Sequence, residues 1–127
     1  MPLPSPTSVS DRVYTTTLAN LTAATVQFMP IINPGRVKRL AVTPTVVTAT
    51  GSGTVQLAYA PPGSSTFTNI VSGIVTVPSA TAAGVTTQAD MTPSADAFVQ
   101  DGGTLRMTVG GTATGGGVPA VAVSIGV

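Results

Sequence analysis

The chain of 127 residues contains no cysteine, histidine, tryptophan or glutamate, and Asp11, Asp90, Asp96 and Asp101 are its only acidic side chains. Without cysteine there can be neither a disulfide framework nor a thiolate zinc site. Without histidine and cysteine, no Ser-His-Asp or Cys-His arrangement can be assembled within the chain. Proton transfer near neutral pH is left to four aspartates, one lysine and two tyrosines, a thin set for general acid–base work. The aspartates stand mostly in turn-like contexts such as "QDGG" and "PSADA", where Asp bonds its own backbone. The runs "GSG", "GG" and "GGG" lack the lysine and the strand-to-helix setting of a phosphate loop. The expectation is a protein that is not an enzyme and holds no cofactor or metal.

Charge is scarce as well. Nine charged residues make up 7% of the chain, at net +1, where soluble domains usually carry roughly 25%. A folded monomer of this mass exposes on the order of 6,000 Å², so each charge serves several hundred Å² and threonine and serine must supply the polarity. A surface so weakly charged resists self-association poorly. Either other subunits or a partner cover much of it, or a threonine-rich sheet face is simply solvated. No run approaches the ~18 apolar residues of a spanning helix. The start, "MPLPSPTSVSDR", has neither the basic nor the apolar region of a signal peptide. A soluble protein made in the cytoplasm, with no membrane partner, is expected.

What the chain has in quantity is β language. Residues 1–11 hold three prolines among Ser and Thr and predict an extended arm, disordered or docked on a neighbour. Residues 12–127 form one domain. Val, Thr, Ile, Tyr and Phe dominate it, Pro or Gly interrupts at intervals of roughly 8–12 residues, and no window has a helical period. Predicted strands are "RVYTTTLA", "ATVQFM", "RVKRLAVTPTVVTA", "TVQLAYA", "TFTNIV", "GIVTVP", "GVTTQADM", "TLRMTVG" and "AVAVSIG". That pattern predicts an all-β jelly roll or sandwich of about eight short antiparallel strands. Val55, Leu57 and Tyr59 share one strand face, as do Leu105, Met107 and Val109, and Val121, Val123, Ile125 and Val127. Opposite the last set lie Ala120, Ala122, Ser124 and Gly126, a small flat face. It suits an interior strand covered by its own sandwich or an intersubunit contact.

Three of the five cations crowd into "INPGRVKRLAVTP". On a regular strand Arg36 and Lys38 project from one face and Arg39 from the other, with Val37. The segment has no aromatic residue and too few cations for a nucleic-acid surface, so no nucleic-acid partner is expected. Arg36, Lys38 and Arg39 form instead a candidate docking patch for an acidic partner surface, or a plain solvated strand. Tyr59 and Phe67 flank the turn "APPGSS" and invite comparison with a sugar-stacking site, but the carboxylates and amides that accompany such aromatics are sparse, which favours core or rim packing.

The segment "QDGGTLRMTVGGTATGGGVPAVAVSIGV" joins an Asp-Gly turn, an alternating strand, a Gly/Thr loop and a final alternating strand. It resembles the closing hairpin of the small jelly-roll decoration, or cement, proteins of tailed bacteriophages. The upstream "MPIINPGRVKRLAVTP" is similar to the opening half of that fold, so the resemblance spans residues 12–127. It implies a virion structural protein: a homotrimer on the outer capsid surface that binds the major capsid protein and stabilises the shell, with no catalytic residues to carry over. Two other readings are a receptor- or carbohydrate-binding fibre or spike head, and a tail structural subunit.

Overall fold

A computed structural model describes residues 12–21, 25–32, 34–91, 97–115 and 117–126. The predicted N-terminal arm, Asp11, Asp96 and Val127 lie outside the described residues. The strands are β1 (Arg12–Thr17), β2 (Val26–Pro30), β3 (Gly35–Thr43), β4 (Thr48–Thr50), β5 (Gly53–Ala60), β6 (Thr68–Val77), β7 (Thr87–Asp90), β8 (Phe98–Val99), β9 (Thr104–Gly111), β10 (Thr114–Gly115) and β11 (Ala120–Gly126). Eight of them are four residues or longer, which matches the number expected from the alternation.

The pairing is nested. β1 pairs with β11, β2 with β9, β3 with β7 and β8, and β5 with β6, all antiparallel. A long hairpin with this nesting, rolled over itself, becomes two facing sheets of order β1-β11-β3-β7 and β2-β9-β5-β6, closed by the β11–β3 and β9–β5 pairs. This is a jelly roll, in which winding the strands between two sheets manages the edges that a flat sheet would expose. β4 and β10 form a small separate ribbon at one end. The last strand is therefore interior: β11 lies between β1 and β3.

The core fills the space between the sheets. Leu40 and Val42 from β3, Val55 and Leu57 from β5, Leu105 and Met107 from β9 and Val121, Val123 and Ile125 from β11 are buried, as their alternation demands. Leu18, Leu21 and Ile31 close the ends of the cavity from the loops.

Three local features depart from strict alternation. The predicted strand 36–49 is two strands, because Pro44 carries no N–H to continue the ladder, and β3 stops at Thr43. The runs 66–71 and 73–78, expected as separate strands, are joined in β6. Gln56 pairs with Ile74 but Ala58 pairs with Asn69, so three extra residues bulge out between them. Ser72 takes φ 61° there, and the Gln56 side-chain amide spans the bulge, donating to the carbonyls of Gly73 at 3.1 Å and Ile70 at 3.4 Å. The third departure, in β3, shapes the candidate site.

Candidate functional site

Along β3, Val37 is buried, Lys38 is half-buried, Arg39 is exposed and Leu40 is buried. Regular pleating would send Arg39 inward beside Val37. The register shows why it does not: Ser124 pairs with Arg39, yet Ile125 pairs with Val37, leaving one extra residue on β3. A bulge of this kind lets two successive side chains leave the sheet on the same side. The expectation that Arg39 projects opposite to Arg36 and Lys38 is thus corrected. All three cations project from the outer face of the β1-β11-β3-β7 sheet, because the alternative is a guanidinium among Leu40, Val123 and Ile125, where an unpaired charge is costly.

Beside Lys38 and Arg39, but not reached by Arg36, runs a shallow groove of about 570 Å³. Its floor is Ala41 of β3 with Ala122 and Ser124 of β11. Val13 of β1 stands on one side, and Lys38, Arg39, Gln88 and Asp90 on the other. The floor is low because the outward positions of β11 are small, the feature that singled out this strand in the sequence. Arg39 Nε donates to Asp90 Oδ1 at 2.6 Å. Both side chains are more than half exposed, at 55% and 72%, so this pair contributes little to stability; it fixes the direction of the guanidinium. Asp90 accordingly sits at the end of a strand facing a cation and not in a turn. Asp101, in contrast, occupies the expected turn, ahead of Gly102 at φ 85°.

The two aromatics considered for sugar stacking do not share a site. Tyr59 packs against the core, and its hydroxyl accepts the backbone N–H of Gln100 at 2.9 Å. Phe67 lies over the outer face of the other sheet, its ring 5.7 Å from that of Phe28 and 4.6 Å from the Arg106 guanidinium carbon. Tyr59 is rim packing, and Phe67 shields the one charged residue that the four strands of its sheet contain. Among the described residues no three His, Cys, Asp or Glu side chains gather into a possible metal site, and no helix is long and apolar enough to cross a membrane.

Sequence reasoning located the cations but missed Val13, Gln88 and Asp90. Their strands neighbour β11 and β3 only through the nested pairing, and no local signal reports that register.

No family model matches the chain, and no curated protein does. Among solved structures, PirA is 9% identical with a TM-score of 0.41, over 93% of this chain and 94% of its own. A chain in the structure of the infectious bursal disease virus Gx strain is 14% identical with a TM-score of 0.41, over 91% of this chain and 32% of its own. A chain of the human norovirus GI.7 Houston strain virus-like particle is 14% identical with a TM-score of 0.42, over 99% of this chain and 32% of its own. The present chain thus spans about a third of the two viral chains. At such values the likeness is loose, and it is the strand order of this molecule that makes it a jelly roll.

Proposed function

We propose that the protein is a virion structural protein, a decoration protein that binds the outer surface of a bacteriophage capsid as a homotrimer and stabilises the shell. The observation that carries the reading is the outer face of the β1-β11-β3-β7 sheet. There the bulge in β3 turns Arg39 to the side of Arg36 and Lys38, and Lys38 and Arg39 border a floor of Ala41, Ala122 and Ser124, with Asp90 as the one described acidic group of the groove. A cationic rim and a flat floor suit docking on an acidic, extended surface of the major capsid protein, because charge at the rim of a contact sets orientation and association rate. The residue inventory, without histidine, cysteine or glutamate, is thin for catalysis and favours a structural role. A trimer touching several capsid subunits gains effective concentration at each added contact, so weak individual sites suffice.

The test is occupancy of purified capsids by the triple variant Arg36→Ser, Lys38→Ser, Arg39→Ser, with far-UV circular dichroism as the check on folding. All three side chains lie on the solvent side, so the fold is expected to be unchanged and apparent affinity to fall by about tenfold or more, with a weaker dependence on salt. Wild-type protein that does not bind capsids refutes the decoration role. Undiminished binding by the triple variant removes the cationic face from it.

A further inference from the structure

The charges of the described residues are segregated along the strands. Arg12 opens β1, Arg36, Lys38 and Arg39 lie in the first half of β3, Asp90 ends β7, Asp101 precedes β9 and Arg106 is its third residue. In the antiparallel register all of these positions belong to one end of the sandwich, where β2 ends and β3 begins. At the opposite end lie the described residues of the connections 18–25, 44–52, 78–86 and 112–119, none of them charged, and the whole run 40–89 contains no charged residue.

This uncharged pole presents valine to solvent. Val46, Val85 and Val118 are each 51% exposed and Val47 is 46% exposed. The loops that carry them are tied to one another. Thr45 Oγ1 accepts the N–H of Val118 at 2.9 Å and lies 3.2 Å from its carbonyl oxygen. Gly84 N–H donates to the carbonyl of Pro44 at 2.9 Å. Behind them Thr48 exchanges backbone hydrogen bonds with Ala80 and Thr81. A side chain on Gly117 would run into Val46 Cγ2, which shows how closely the connections 44–52 and 112–119 approach. Exposed apolar groups on a pre-organised frame lose little freedom on contact, a condition for effective association.

We infer that this valine pole is the surface through which copies of the chain associate with one another. The charge pattern selects a second copy as the occupant. A charged partner surface would give up hydration here and gain no counter-charge, whereas the same pole of another copy is apolar and uncharged by construction. Association there also keeps the cationic ends of the copies apart. The inference rests on the proposed homo-oligomer but not on capsid binding, and it names the contact between copies that the proposal leaves open.

The experiment measures solution mass by sedimentation velocity over a range of concentrations, at low and high salt, for the wild type and for Val46→Lys, Val118→Lys. The wild type is expected to associate, and not to weaken as sodium chloride rises. The lysine variant, folded by circular dichroism, is expected to associate about tenfold or more weakly. The milder Val46→Thr, Val118→Thr pair serves if the lysines disturb folding, and is expected to weaken association in the same direction. A wild type that stays monomeric at every concentration, or folded variants of undiminished association, overturns the inference. Either result leaves the capsid-occupancy test of the decoration role standing on its own.

Discussion

Thr48 is the one fully buried polar residue among the described residues, and replacing it separates a hydrogen bond from a volume. Its hydroxyl donates to the Pro78 carbonyl at 2.8 Å and accepts the N–H of Thr81 at 2.9 Å. In Thr48→Val the shape is kept and both bonds are lost. The Pro78 carbonyl still receives the Thr81 hydroxyl at 2.7 Å, so a single group, the Thr81 N–H, is left without a partner. A buried unsatisfied donor costs about 1–3 kcal/mol, and the added methyl recovers part of it, giving a net loss of about 1–2 kcal/mol. Thr48→Ser keeps both bonds and loses a methyl, for about 1 kcal/mol. Thr48→Ala suffers both losses and should fall by about 3 kcal/mol. Urea denaturation gives the three differences, and amide exchange at Thr81 should be faster in the Val and Ala variants only. If Thr48→Val is as stable as the wild type while Ala matches Ser, the hydroxyl contributes nothing and the reasoning fails.

Further predictions concern the backbone. Gly111 sits at φ 85° with the Ser52 carbonyl oxygen in the path of any Cβ, so Gly111→Ala should destabilise by about 2 kcal/mol or more by thermal denaturation. Gly63→Ala, at φ 76° in open space, should cost only about 1 kcal/mol. Deleting Lys38 removes the extra residue of the bulge and restores strict alternation, with Val37 and Leu40 inward and Arg39 outward. That variant is expected to fold with a modest shift in midpoint, whereas deleting Ala41, which sends Val42 outward, is expected to leave the chain unfolded.

The core was legible because β5, β9 and β11 alternate without interruption, and alternation reports a half-buried strand directly. The one apolar and one small face of β11 left an interior strand and an intersubunit contact both open, and it is the pairing with β1 and β3 that places the strand inside its sheet. What stayed hidden is what alternation cannot encode. Lys38 and Arg39 read as residues on opposite faces because an inserted residue in one strand is visible only against its partner's register. The joining of 66–71 to 73–78 depends on Gln56, a residue of another strand, reaching the carbonyls of Ile70 and Gly73. Asp90 falls in the predicted strand "GVTTQADM", but only the β3–β7 pairing brings it to Arg39. The cationic patch was therefore found by composition and completed by topology.

The scarcity of charge also has a different meaning once the strands are placed. Spread evenly over the 6519 Å² surface, nine charges would leave every face equally poor, and no face would be marked for contact. Instead the described charges crowd one end, and three of them stand on one sheet face, where two border a floor of alanine and serine. The other end keeps its exposed valines on a hydrogen-bonded frame. Contacts made at the two places respond to opposite conditions: rising salt screens the cationic face, while salts such as sulfate strengthen apolar association at the pole. On the proposed reading, copies can therefore join at the pole without blocking the face that meets the capsid. Salt would then tune the two steps separately, which a uniformly charged jelly roll could not achieve.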